Sequence, residues 1–328
     1  MKLEDYVKKF MTTCIEKRAT DLYMLPRLDE YQIMYKHLNQ CHIIQEVSQQ
    51  TGEQLIAFFK FQADMALSEK RRPQTGAYYW HQKDSVVHLR LSSVGDFLNR
   101  ESMVIRFIYP VEGAHIQHLE PFQWEKLVEL SNKKGLLLFS GPMGSGKTTS
   151  IYQLARYLAQ EKVVMTIEDP VEILEEKFLQ LQVNNRAEMT YEQLLKVGLR
   201  HRPDIFIIGE IRDEHTANVA VKAALSGHLV LSTVHAQNAF GVIRRLQQLN
   251  VDADMLQQAL SGIAYQRLIP VRKGEVAALF DIMEGEELKE AFSGEPNQKM
   301  TSTWGDCLEK EYQEHNISEE TLLEYQEG

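Results

Sequence analysis

Cysteine is scarce in this chain of 328 residues: Cys14, Cys41 and Cys307 lie far apart and form no C-x-x-C pair. That excludes a disulfide framework and a thiolate zinc site, and it fits a reducing cytoplasm. Long apolar runs are missing as well. No stretch approaches the ~20 residues needed to span a bilayer, and the opening MKLEDYVKKF mixes both charge signs where a secretory signal has an apolar run. Any contact with a membrane is therefore expected to go through partners. Basic charge is the minority, with 36 Lys and Arg against 46 Asp and Glu and a formal net charge of −10. A general nucleic-acid surface draws on clustered lysine and arginine, so direct DNA handling is disfavoured. Biased tracts and internal repeats are also absent from the sequence.

What is present is an ordinary globular composition, 44% hydrophobic and 25% charged, in a chain long enough for two domains. Leu3, Val7, Phe10, Met11 and Cys14 recur at helical spacing and predict an amphipathic first helix. TDLYML, YQIMYK and CHIIQEV read as strands, and a second helix carries Leu55, Ile56, Phe58, Phe59 and Ala66 inward. After a turn at RRPQTG come AYYW, VVHLRLS and MVIRFIY; in the second of these, Val87, Leu89 and Leu91 alternate with His88 and Arg90. Residues 1–112 are expected to form an α+β domain with a largely antiparallel sheet. The stretch from Pro110 to Pro121 is poor in apolar residues, and the linker is placed at 113–120. His115 and His118 there have no carboxylate or cysteine beside them and read as solvated loop histidines.

Residues 121–328 follow a different pattern. The apolar runs LLLF, VVMTI, DIFIIG and HLVLST alternate with segments of helical period, the sign of a parallel sheet covered on both faces. Glu309, Glu311, Glu314, Glu319, Glu320, Glu324 and Glu327 then make an acidic end, which reads as a solvated helix face.

The strongest signal is Gly141-Pro142-Met143-Gly144-Ser145-Gly146-Lys147-Thr148, followed by Thr149. It satisfies G-x-x-x-x-G-K-[ST], with an apolar strand before it and the helix of Ile151, Leu154, Ala155 and Leu158 after it. Such a loop aims backbone N–H groups and a helix N-terminus at phosphates; Lys147 would neutralise β- and γ-oxygens and Thr148 would ligate Mg²⁺. The expected cofactors are ATP and Mg²⁺.

Two acidic strand ends follow, Glu168 and Asp169 in TIEDPVE and Glu210 in IIGEIRD. Ligands of parallel sheets sit beyond the carboxyl ends of the strands, so either glutamate is expected to handle the attacking water while the other helps hold the metal. Gly209 stands where this pattern usually has an aspartate, which leaves the metal to Thr148 and waters with Glu210 in outer contact. His235, at the end of GHLVLSTVHA, is a candidate hydrogen-bond donor to the γ-phosphate, and His228 before that strand is a second; the alternative for each is a packed or capping histidine.

Taken together, these residues resemble the type II secretion and type IV pilus ATPases. GPMGSGKTTSIY is similar to the Walker A segment of that family, TIEDPVE to its acidic box, LRHRPDIFIIGEIRDEHTA to its Walker B segment and GHLVLSTVHA to its histidine box. Further matches are ATDLYMLP, RRPQTG, LRLSS, VIRF and AYQRLIP, so the resemblance spans most of residues 19–280. It implies a RecA-like ATPase domain behind a PAS-like N-terminal domain, a homo-hexameric ring, and an inner-membrane platform protein as partner. It also implies that Arg90 and Arg106 reach the phosphates; the plainer reading leaves Arg90 on the solvent face of its strand. The four-cysteine zinc module of many assembly ATPases is absent after Gln266-Arg267-Leu268, and the A-I-R-N-L-I-R-E stretch of the retraction branch is not found. Tyr23 and Leu25 stand where relatives often have His and Glu. The pattern most resembles the competence pseudopilus branch of Gram-positive bacteria, acting on the cytoplasmic face of the membrane in DNA uptake. A retraction motor, a general type II secretion ATPase, a nucleotide-sensing scaffold and a DNA translocase are the alternatives.

Overall fold

The structure, a computed structural model, describes the chain except residues 1, 38–39, 83–84, 110–115, 185–186, 273–274 and 294–299. It divides into two compact units, Met1–Glu112 and Gly113–Gly328.

The first unit runs α1 (Leu3–Glu16), β1 (Asp21–Pro26), β2 (Glu30–His37), β3 (Gln40–Ser48), α2 (Gln49–Gln62), β4 (Gln74–Gln82), β5 (Ser85–Gly95) and β6 (Glu101–Ile108). Its strands form one antiparallel sheet in the order β3-β2-β1-β6-β5-β4. The period of two sends Leu22, Met24, Leu89, Leu91, Met103 and Ile105 to one face, where they bury the apolar stripes of α1 and α2. Asp21, Arg106 and Arg90 fall in register across three neighbouring strands on the other face. Lys60 of α2, almost wholly buried, donates to the Glu101 carboxylate at 2.7 Å and to the Glu69 carbonyl at 2.6 Å, so helix, strand and the loop before β4 share one cation.

The second unit runs β7 (Gln117–His118), α3 (Pro121–Leu130), β8 (Gly135–Ser140), α4 (Lys147–Leu158), β9 (Val164–Glu168), β10 (Leu179–Gln182), α5 (Tyr191–His201), β11 (Ile205–Ile211), α6 (Glu214–Leu225) and β12 (Leu229–Val234). It continues with α7 (Ala239–Gln248), α8 (Ala253–Ala259), β13 (Leu260–Pro270), β14 (Val276–Met283), α9 (Gly285–Ser293), α10 (Ser302–Gln313) and α11 (Glu319–Tyr325). The sheet order is β10-β9-β11-β12-β8-β13-β14-β7, and every pairing is parallel except β13 with β14. The runs read as apolar become β8, β9, β11 and β12, whose residues are buried on both faces apart from the carboxyl end of β11. Mixed α/β architecture, a six-stranded antiparallel sheet and then a mostly parallel one, is therefore as expected.

Several local expectations fail for identifiable reasons. Ala66 is exposed, because α2 ends at Gln62 before reaching it. The RRPQTG turn gives way to β4 already at Gln74, whose amide is occupied by Ala66 and Glu69. His118 is no solvated loop residue: β7 pairs with β14, and the ring lies against Trp124 and Phe280 at centroid distances of 4.6 and 5.8 Å. His115 and the first part of the expected linker lie outside the described residues. Glu311 departs from the solvated acidic face, since α10 turns it inward to accept from Asn316 Nδ2 at 2.9 Å.

The β13–β14 hairpin was not foreseen. The two faces of β13 serve different neighbours: Arg267 donates to the Gly328 carbonyl at 2.7 Å and lies 4.8 Å from the Tyr325 ring centroid, whereas Gln266 faces the loop after β8. Tyr325 in turn accepts from the indole of Trp304, which is fully buried, so the last helices are seated on the sheet.

Burial pushes the Cys14 and Cys307 thiols each up to about 12, while Cys41 is exposed. Only thiolates alkylate. The native protein is expected to take up one equivalent of iodoacetamide at pH 8, at Cys41, and three after denaturation, counted by peptide mass spectrometry.

Candidate active site

The loop between β8 and α4 sits at the carboxyl end of the parallel strands, beside the end of β12 and the middle of β13. Gly146 caps α4 with φ of 83°, a left-handed conformation that glycine adopts without strain. It offers no side chain to the first-turn N–H groups, a helix start of the kind that can receive an anion. Lys147 is 8% exposed, and its ammonium donates to the carbonyls of Gly141 at 2.9 Å and Pro142 at 2.8 Å. Burial pulls its pKa below the ordinary lysine value, and the Glu210 and Glu172 carboxylates oppose that shift. An ammonium has three donors and the loop uses two, so this buried cation has one left for a ligand of opposite charge.

Glu210 reaches the same end through a bulge. The register of β11 on β12 slips between Ile208 and Glu210, and the Thr233 hydroxyl donates to the displaced Gly209 carbonyl at 3.0 Å. The extra residue re-aims the side chain that follows. The Glu210 carboxylate then lies 3.1 Å from His235 Nε2 and accepts from Arg212 Nε at 2.6 Å. A Cβ at Gly209 would stand 3.4 Å from Glu168 Cα and Cγ, in ordinary van der Waals contact.

Glu168 is differently placed. It is 3% exposed and accepts from the Tyr152 hydroxyl of α4 at 2.6 Å; Gln180 of β10 donates to that hydroxyl at 2.9 Å. Burial raises the Glu168 pKa and pushes the Tyr152 pKa up strongly. The charge of exposed Glu172, three residues beyond the Glu168-Asp169 pair singled out in TIEDPVE, acts on Lys147. The missed signal was the second glutamate of the same box.

His228 does not join the loop. It stands at the amino end of β12, where its carbonyl accepts from Gly135 N and its ring lies against Phe206, six residues of strand away from His235. The expectation that it contacts nucleotide is corrected accordingly: the two histidines lie at opposite ends of one strand. Met143 is 90% exposed at the loop tip, while Ser145 is buried and Thr148 and Thr149 are half-buried in the first turn of α4. Arg90 and Arg106 face each other across β5 and β6 in the first unit, and Arg106 is tied to Asp21 at 3.1 Å. Among the described residues no group of three or more His, Cys, Asp and Glu side chains could hold a metal ion by itself.

A family model described as "Type II/IV secretion system protein" matches residues 1–314. The chain belongs to this family. Relatives include competence protein ComGA of Streptococcus pneumoniae, 40% identical over 81% of this chain and 85% of that protein. ComGA of Bacillus subtilis is 37% identical over 81% and 77%. Among solved structures, the pilus retraction motor PilT with bound ADP superposes with a TM-score of 0.70 at 23% identity, over 97% of this chain and 96% of that one. The ATPase DotB of Legionella pneumophila gives 0.68 at 17%, over 97% and 94%. These two likenesses bear on the fold. Similarity to type IV pilus and type II secretion proteins extends further, with the PilB pilus assembly ATPase of Acinetobacter baylyi 35% identical over 80% of this chain and 46% of that protein.

Tyr152→Phe removes the donor to a buried carboxylate and is expected to cost about 1–3 kcal/mol. A carboxyl group whose folded pKa is raised contributes stability below the unfolded value and loses it as pH rises through the folded one. Losing the hydroxyl raises that folded value further, so thermal melts should show a larger deficit near neutrality than below about pH 4, the ordinary glutamate range.

Proposed function

We propose that this chain is a motor ATPase that hydrolyses Mg-ATP in a homo-hexameric ring and passes its stroke to an inner-membrane platform protein. The product of that work is a competence pseudopilus for DNA uptake, assembled from the cytoplasmic face of the membrane. The observation that carries the reading is the buried ammonium of Lys147, two of its donors on loop carbonyls and one left over, inside a cradle of backbone N–H groups. The names of its ComGA relatives support the competence role. No helix among the described residues is long and apolar enough to cross a membrane, which is consistent with a platform partner supplying that contact.

The residues present fit a magnesium triphosphate. The Thr148 hydroxyl and waters would hold Mg²⁺, with Glu210 in outer contact, and the ion would supply charge neutralisation across the β- and γ-oxygens. Lys147 binds the terminal phosphates. Glu210 orients the attacking water and takes its proton, steadied by Arg212 on one oxygen and by His235 on the other. His235 also bonds the γ-phosphate. Glu168 holds Tyr152, and through it the helix that starts at Lys147, so it serves the chemistry by position. Arg90 and Arg106 stabilise charge that develops on the transferring phosphoryl group.

Lys147→Ala is expected to abolish saturable Mg-nucleotide binding and phosphate release, and retention of both would sink the reading. Glu210→Gln should keep nucleotide binding while lowering turnover by about 10²-fold or more, the range for a lost general base. Glu168→Gln should lower turnover less, because the amide still accepts from Tyr152. Arg90→Ala is expected to reduce kcat with little change in nucleotide Kd; an unchanged rate would return Arg90 to the solvent face of its strand. One feature favours a second reading, a nucleotide-sensing scaffold: Gly209 occupies the usual aspartate position. Phosphate release by the purified ring with Mg-ATP and its platform protein separates the two, since a scaffold gives none above the Lys147→Ala background.

A further inference from the structure

Gln266 is fully buried on β13, one residue beyond the pairing of Tyr265 with Ser140 and so beside Gly141 at the mouth of the loop. Its backbone carbonyl would lie 2.3 Å from a Cβ at Gly141, and its amide nitrogen 3.1 Å from one at Gly146. Neither end of that amide has a hydrogen-bond partner among the described residues. The hydroxyls of Ser145 and Ser150, in the same loop and the following helix, are likewise buried without one.

The other buried amides among the described residues are satisfied. Gln123 exchanges two hydrogen bonds with the Phe280 backbone, and Gln74 makes three with Ala66 and Glu69. A buried amide with two donors and an acceptor all unpaired costs free energy that an apolar side chain of the same size does not. Its place beneath a ligand loop supplies a reason. Two carbonyls of that loop, those of Gly141 and Pro142, accept from Lys147.

We infer that Gln266 is a positioning residue of the phosphate loop, whose amide takes over loop carbonyls as Lys147 turns toward bound phosphate. The inference rests on the nucleotide reading of the loop. Occupancy of the site then adds a bond between β13 and the loop. The amide acts on the loop, and it is the phosphate chain, not the base, that triggers the exchange.

The test is Gln266→Met, which keeps the length of the side chain and removes its hydrogen bonding, measured by thermal melts and by calorimetric titration with Mg-ADP and with magnesium pyrophosphate. The ligand-free melting midpoint is expected to stay level or rise. Kd for both ligands should weaken by about tenfold, the scale of one hydrogen bond lost from a bound state. Unchanged affinity in the methionine variant, beside saturable binding by the wild type, overturns the inference and leaves the nucleotide reading standing. Weakening confined to ADP assigns the amide to the base and also overturns it, as does a loss of affinity matched by a lower ligand-free midpoint. A wild type that binds neither ligand removes both readings together.

Discussion

A buried positive charge organises the second unit. Lys147 cannot be carried into a nearly solvent-free position unless something offsets its lost hydration, and the offset comes from carbonyls that exist only because the loop after β8 doubles back on itself. That path requires a helix start without a capping side chain, and it requires the parallel strands to end together, so that the carboxylate of Glu210 arrives within electrostatic reach of the ammonium. The sheet, the bulge and the helix register all bear on how one cation is accommodated.

The two glutamates at neighbouring strand ends divide the labour through burial. Glu210 is partly open and sits between a guanidinium and an imidazole, a setting that keeps a carboxylate available to solvent and ligand. Glu168 lies under α4 in a chain of hydrogen bonds with Tyr152 and Gln180, where desolvation favours its neutral form. Position along the sequence could not separate them, because both follow apolar strands and both precede turns. What separates them is the bulge at Gly209, which turns Glu210 outward, and the absence of one on β9.

Much of this was legible before any coordinates. Alternating Val87, Leu89 and Leu91 marked a two-faced strand, and unbroken apolar runs marked β8, β9, β11 and β12, because the period of side-chain direction is a local property of the backbone. The phosphate loop announced itself by spacing. The parts that stayed hidden depend on contacts distant in sequence. Tyr152 is simply an aromatic residue on a helix until β9 is laid beneath it, and His228 resembles His235 until strand direction puts them at opposite ends, whereas the β13–β14 hairpin was overlooked although a short stretch with Gly274 joins its strands. The ladder Asp21, Arg106, Arg90 likewise appears only once β1, β6 and β5 are paired out of chain order.

Residues 266 and 267 are adjacent in the chain yet belong to different neighbourhoods, one under the phosphate loop and the other gripping the segment that carries Tyr325 and Gly328. A strand is stiff along its length, and a peptide unit cannot slide on one side only. The middle of β13 therefore joins the loop after β8 on one face to the acidic helices near the end of the chain on the other, and a one-residue slip in its register would exchange the two sets of contacts.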